Sequence, residues 1–214
     1  MHRRTALTVS AALLAGAPLL TACGSDAHPG AAAVVGGERI DVSSLQAEVA
    51  DVRAAQERSP QAAQLVQATG DLPRRKLNGM IFDRVVDKVA ADNGVTATRA
   101  ELQQTRTAFV RESGGEDRLA TVLLQEQGVA PGQIEDVVRR NVLMNKIAAK
   151  LGVTDSPEGQ KKLTDVFSAA SKALAIDVNP RYGAWDDAQV RLADTTEPWL
   201  RQLSQDPAAV PAGA

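Results

Sequence analysis

The sequence has 214 residues, with 24 Lys and Arg against 26 Asp and Glu, a formal net charge of −2 and a pI near 5.8. That balance lacks the basic excess of a nucleic-acid binder, and an apolar fraction of 44% excludes a chain disordered by composition. A single Cys excludes an intrachain disulfide framework or a Cys-rich zinc site, and the two His, at positions 2 and 28, leave little for His-based chemistry.

Residues 1–23 open with the basic head His2, Arg3 and Arg4, followed by an apolar run from Ala6 to about Leu20 that Gly16 and Pro18 interrupt. The run is too short and too broken for a membrane span and predicts a signal peptide over 1–22. Its end, Leu20-Thr21-Ala22-Cys23, resembles the lipobox of bacterial lipoproteins. The resemblance implies that the Cys23 thiol receives a diacylglycerol and that the bond before it is cut. Two acyl chains anchor stably where one does not. The expectation is a protein lipid-anchored through Cys23 on the extracytoplasmic face of the cell membrane. Cleavage would leave 22 basic and 26 acidic residues, a net of −4, so an anionic bilayer would not attract the body electrostatically. Residues 23–31 carry the anchor and a small, polar, Pro- and Gly-bearing tether that includes His28.

Beyond the tether, Val34-Val35, Gly36-Gly37 and Glu38-Arg39-Ile40 spell a hairpin, because Gly-Gly supplies the positive φ of a two-residue turn. Ser43 or Ser44 is expected to cap a helix carrying Leu45, Val49 and Val52 on one face. Pro60 opens a shorter helix that Gly70 ends. Pro73 begins the next, where Leu77, Ile81, Val85 and Val89 form an i, i+4 ladder widened by Met80 and Val86, with Gly94 as its C′ stop. Thr98 and Glu101 make a capping box for a helix bearing Leu102 and Phe109, which Gly114-Gly115 breaks. Leu119, Val122 and Leu123 mark a helix ending at Gly128. Pro131 opens a long helix with Ile134, Val138, Val142, Ile147 and Leu151, and Pro157 the last main one, with Leu163, Phe167, Ala170 and Leu174.

Ile176 and Val178 alternate with Asp177 and Asn179, which predicts a strand that Pro180 shortens or confines to an edge. A strand at each end of a helical array suggests that the two ends pair. The expected fold is therefore mainly α, a multi-helix domain over 32–186 with a small β-sheet made by the N-terminal hairpin and a C-terminal strand. Residues 187–214 are expected to be a partly disordered tail in which Trp199, Leu200 and Leu203 make one docked helical turn after Pro198.

The order strand, Gly turn, strand, then amphipathic helices with Gly stops resembles the N-terminal chaperone region of SurA-like proteins, which PrsA-like foldases share. The stretch KLNGMIFDRVVDKVAADNGVTATRAEL is similar to that family's most recognisable helix pair, and QEQGVAPGQIEDVVRRNVLMNKI to the element that follows it. Asn179-Pro180-Arg181-Tyr182-Gly183, with Trp185 and Asp186, resembles a strand motif that follows these helices in actinobacterial lipoproteins of this kind. Family members often insert a parvulin prolyl-isomerase domain after the helices. Here 24 residues separate Leu151 from Ile176, and they already read as a helix. The resemblance therefore implies binding of unfolded or extended exported polypeptides without ATP and without isomerase activity. An alternative from another class is a structural or adaptor lipoprotein that docks one folded envelope partner.

No cofactor, nucleotide or metal is expected, since no phosphate-binding glycine loop and no Asp-rich calcium loop is present. The carboxylate pairs Glu116-Asp117, Glu135-Asp136 and Asp186-Asp187 read as helix-start or turn acids, and no catalytic residue is assigned. The candidate client-binding segment is Asn179, Pro180, Arg181, Tyr182, Gly183 and Trp185. Its residues either pack on the helices or offer a sheet edge to an extended client.

Overall fold

The computed structural model describes residues 29–193. The expectations placed on the leader, on Cys23, on His28 and on the tail residues Trp199, Leu200 and Leu203 lie outside them. Gly36 and Gly37 take φ of +59° and +82°, and between them the chain reverses from β1 (Ala31–Val35) into β2 (Glu38–Asp41). A Cβ on Gly36 would also meet the Leu174 Cδ2 at 2.9 Å, a side-chain tip that can shift, so it is the left-handed conformation that favours glycine there. β1 then pairs antiparallel with β3 (Asp177–Val178), Ala33 opposite Val178, and sits in the middle of a sheet ordered β2-β1-β3. The two ends of the described chain do meet.

Seven helices lie between: α1 (Val42–Glu57), α2 (Ala62–Ala68), α3 (Leu72–Asp92), α4 (Arg99–Ser113), α5 (Glu116–Gln127), α6 (Ile134–Lys150) and α7 (Pro157–Ala173). Neither Ser43 nor Ser44 caps α1. The chain passes from strand to helix with Asp41 at the N-cap, whose side chain makes no cap bond, while the Val42 amide is held by the Gly30 carbonyl at 2.8 Å. The capping box of α4 forms as expected: Thr98 Oγ1 accepts from the Glu101 amide, and Glu101 Oε2 accepts from the Thr98 amide at 2.8 Å. Pro131 opens a 3-10 turn, Pro131–Gln133, that leads into α6.

α3 is the axis. Its Leu77, Ile81 and Val85 are inaccessible to solvent. The N-terminal half packs with the sheet, α1 and Leu65 of α2, and the C-terminal half with α6 and α7. Leu174, Ile176 and Trp185 touch both groups and fuse them. A third cluster, Leu119, Leu123, Val129, Ile134 and Val138, joins α5 to the start of α6, with Leu102, Phe109 and Val110 of α4 against it. α4 itself contains no buried residue.

Ordered structure continues past Asp186. The segment expected as one strand bends at Pro180 into a 3-10 turn, Pro180–Tyr182. Then β4 (Ala184–Asp186) pairs antiparallel with β5 (Arg191–Ala193) in a second, two-stranded sheet. The proline ring fixes φ and removes the donor that would have continued the ladder.

Candidate functional site: a groove along α3 and α6

α3 and α5 are set apart, and α6 forms the floor between them. At one end the lining is polar. Gln133, 4% exposed, accepts from Lys76 Nζ at 2.7 Å and from the Ala130 amide at 3.1 Å, and donates to the Glu48 carbonyl at 3.0 Å. Lys76 also pairs with Glu48 Oε2 at 3.3 Å. One buried amide thus pins α1, α3 and α6 together, and its polar atoms are matched, as burial requires. Across the middle, Arg140 of α6 meets Asp83 of α3 through two bonds, Nε to Oδ1 at 2.5 Å and Nη2 to Oδ2 at 3.0 Å. Burial pushes the Asp83 carboxyl above its usual range. The Arg140 hydrogen bond and charge pull it down, while Asp136 and Asp87 push it further up. The bridge sets the spacing of α3 and α6 more than it stabilises them.

Beyond Arg140 the groove turns apolar. Half-buried Phe82, Phe109, Val122, Val137 and Met144 surround about 520 Å³, with Leu119 and Leu123 behind them and Glu112 at the rim. Phe82 is steadied from behind by stacking on Phe167 of α7, ring centroids 6.0 Å apart. Gln127, Val137 and Arg140 line both the polar and the apolar stretch, so the two are continuous.

The far wall is the α4–α5 pair, joined to α6 by the buried Leu119, Leu123, Ile134 and Val138 cluster and, at the surface, by charge. Arg106 of α4 bonds Glu116 at the start of α5 and, at 2.6 Å, Glu135 at the start of α6. Lys146 of α6 bonds Glu101 Oε1 at 2.6 Å. Together with its capping role, this lowers the Glu101 carboxyl to about 2. The acid pairs read from the sequence are accounted for in this way, at helix starts or, for Asp186, in a turn where it accepts from the Ala188 and Gln189 amides at 2.8 and 3.0 Å.

Asn179, Pro180, Arg181, Tyr182, Gly183 and Trp185 do not line the groove. Asn179 stitches β1, its amide donating to the Ala32 carbonyl at 3.0 Å and its Nδ2 to the Ala31 carbonyl at 3.2 Å. Tyr182 is buried, and its carbonyl accepts from Arg74 Nε at 3.1 Å. The Arg181 guanidinium lies 5.4 Å from the Tyr182 ring centroid. Gly183, at φ +116°, has the Ala193 carbonyl where a Cβ would stand, at 2.6 Å. Trp185 Nε1 donates to Ser171 Oγ at 2.7 Å, and that fully buried hydroxyl donates to Asp187. These contacts hold Asn179, Tyr182, Gly183 and Trp185 against the fold, while Pro180 and Arg181 are exposed.

Phe82 and Met144 line the groove yet do not stand out in the sequence, because each flanks an apolar stripe, Leu77–Ile81–Val85 and Leu143–Ile147. Phe109 and Val122 mark helices in the sequence, not a groove. The available signal was apolar residues standing off the buried stripe on helices too polar to bury a second face. Among the described residues no group of His, Cys, Asp and Glu could hold a metal ion, and no helix is long and apolar enough to cross a membrane.

The sequence profile of one family, described as the SurA-like N-terminal domain, matches residues 4–148. The match takes in both walls and the floor of the groove and ends before α7 and the second sheet. No curated protein and no solved structure matches the chain.

Proposed function

The chain belongs to the SurA-like N-terminal domain family, a chaperone-type family, and from that premise we propose that it is a lipid-anchored extracytoplasmic holdase whose client site is the apolar half of the α3–α6 groove. The observation that carries this reading is the cluster of half-buried Phe82, Phe109, Val122, Val137 and Met144 in an open groove. An open groove lined by such half-buried apolar side chains offers contact to an apolar client residue and takes that surface out of water when filled. Met is unbranched and polarizable, so it adapts to unlike side chains, which suits a site that takes many clients. Binding is hydrophobic, needs no nucleotide, and is weak, because an unfolded client gives up conformational freedom as it docks. The anchor at Cys23 would keep this surface where exported chains emerge. The reading includes no prolyl isomerase activity.

Aggregation suppression by protein lacking residues 1–23 tests the proposal. Broad suppression across unrelated clients supports it. Val122→Asp places a charge in the groove and is expected to weaken client binding about tenfold, equivalent to roughly 1.4 kcal/mol, with little loss of stability. Suppression unchanged by Val122→Asp, or capture of one folded partner alone, would reject the groove in favour of an adaptor role. Turnover in a prolyl-peptide isomerisation assay would reject the non-enzymatic reading.

A further inference from the structure

β5 delivers the chain to one end of the groove. Ala193 pairs with Ala184, and its carbonyl lies against Gly183, beside the Arg74 guanidinium. Leu192 is fastened to α3 on both sides, its amide to Asn78 Oδ1 at 2.7 Å and its carbonyl to Arg74 Nη2 at 3.5 Å. The surface there, lined by Arg74, Arg75, Arg191 and Asp71, is predominantly cationic. Arg75 lines both that surface and the polar end of the groove, so one leads into the other. Residues 194–214, which lie outside the described structure, follow from this point.

Their sequence matches the path in order. Asp194 and Glu197 come first, the charges complementary to the Arg cluster, and Trp199, Leu200 and Leu203 follow. Six residues span up to about 20 Å, and the path they start on leads through Arg75 to the polar end of the groove. We infer that the segment from Glu197 to Leu203 is the resident occupant of the apolar groove, an intramolecular stand-in for a client that an exported chain must displace. The inference rests on the groove reading above. A segment tethered this closely acts at a millimolar effective concentration, so it covers the apolar surface at rest and yields to a longer client making more contacts. Client affinity is then reduced by the fraction of molecules in which the groove is open.

The test uses the full chain reconstituted in phosphatidylcholine vesicles, with Val122 replaced by the photo-crosslinker benzoylphenylalanine. Irradiation is expected to give an intrachain adduct to the peptide containing Trp199 and Leu203, and an excess of carboxymethylated lactalbumin, a permanently unfolded probe, should suppress it. In the otherwise native chain, the double substitution Trp199→Ala with Leu203→Ala is expected to tighten binding of the same probe about tenfold. Adducts to another segment, adducts to a second copy, no adduct, or, where the probe binds, an affinity unchanged or weakened by the double substitution would each overturn the inference. The two readings fail separately. An intrachain adduct with no probe binding in any variant leaves the tail docked and removes the chaperone reading. Probe binding with no adduct does the reverse.

Discussion

α3 and α4 are both helices with sharp ends and acid–base partners on α6, yet they live in different parts of the molecule. α3 packs against the first sheet, α1, α6, α7 and the β5 segment. α4 touches α5 and α6, buries no residue fully, and is tied down by Arg106 and Glu101 at half-exposed ion pairs. The groove lies between these two regimes. One wall is the centre of the fold and cannot move without unfolding it. The other is joined to the rest through Leu119, Leu123 and Leu124 of α5 and through surface ion pairs of α4.

The sharpest way to break the comparison is to cut both walls equally. Ile81→Ala removes a fully buried side chain from α3 and is expected to lower stability by about 2–5 kcal/mol. Phe109→Ala removes a larger but half-buried side chain from α4 and should lower it by about 1 kcal/mol while weakening client binding. Urea midpoints measure the first effect and probe titration the second. Equal destabilisation by the two substitutions would show that the outer wall is as integral as the axis.

The next effect sits on the axis side. Ser171 is fully buried between the Trp185 indole and Asp187. Ser171→Ala leaves both without that partner and is expected to lower stability by about 1–3 kcal/mol, read from thermal melts, with client binding to the remaining folded protein unchanged. Loss of binding without loss of stability would return the Asn179–Trp185 segment to the client site.

How far these regions were legible in the sequence follows the same division. The Gly36-Gly37 turn, the Thr98–Glu101 box and the α3 ladder are local patterns, and each forms where the residues put it. The meeting of β1 and β3 also followed from pattern, since the N-terminal hairpin leaves one edge of β1 open and the short strand at the other end needs a partner for its backbone. The start of α1 did not, because the Gly30 carbonyl, distant in sequence from any cap motif, holds its first amide. The β4–β5 hairpin was invisible for another reason. Its strands are three residues each, and its turn ends on Val190 at φ +51°, a conformation no preference scale assigns to a β-branched residue. The groove was hidden most completely, because which apolar side chains remain half-open depends on the separation of α3 from α5 and on nothing local to either.

A smaller effect tests the hold on the outer wall. Arg106→Ala removes the bonds to Glu116 and Glu135, both exposed at the surface. Global stability should fall by no more than about 1 kcal/mol. Amide exchange should accelerate in α4 and α5 and stay unchanged in α3. Acceleration spread evenly over all helices would mean that the two walls open as one unit.

Acid offers a reversible version of that cut. Glu101 titrates at about 2 in the folded chain against 4.5 for the free side chain, because Lys146, the Thr98 amide and the Thr98 hydroxyl all favour its charged form. A depressed carboxylate binds its proton more readily in the unfolded state, so its contribution is fully present above pH 4.5 and is lost as pH falls from there towards 2. Within that window the α4 amides should lose exchange protection relative to the wild-type chain at neutral pH. Glu101→Gln keeps the cap but removes the charge that Lys146 meets, and should flatten much of this dependence. An α4 profile identical in wild type and Glu101→Gln would show that the outer wall is held by Leu102, Phe109 and Val110 alone, and that acidity has no purchase on the groove.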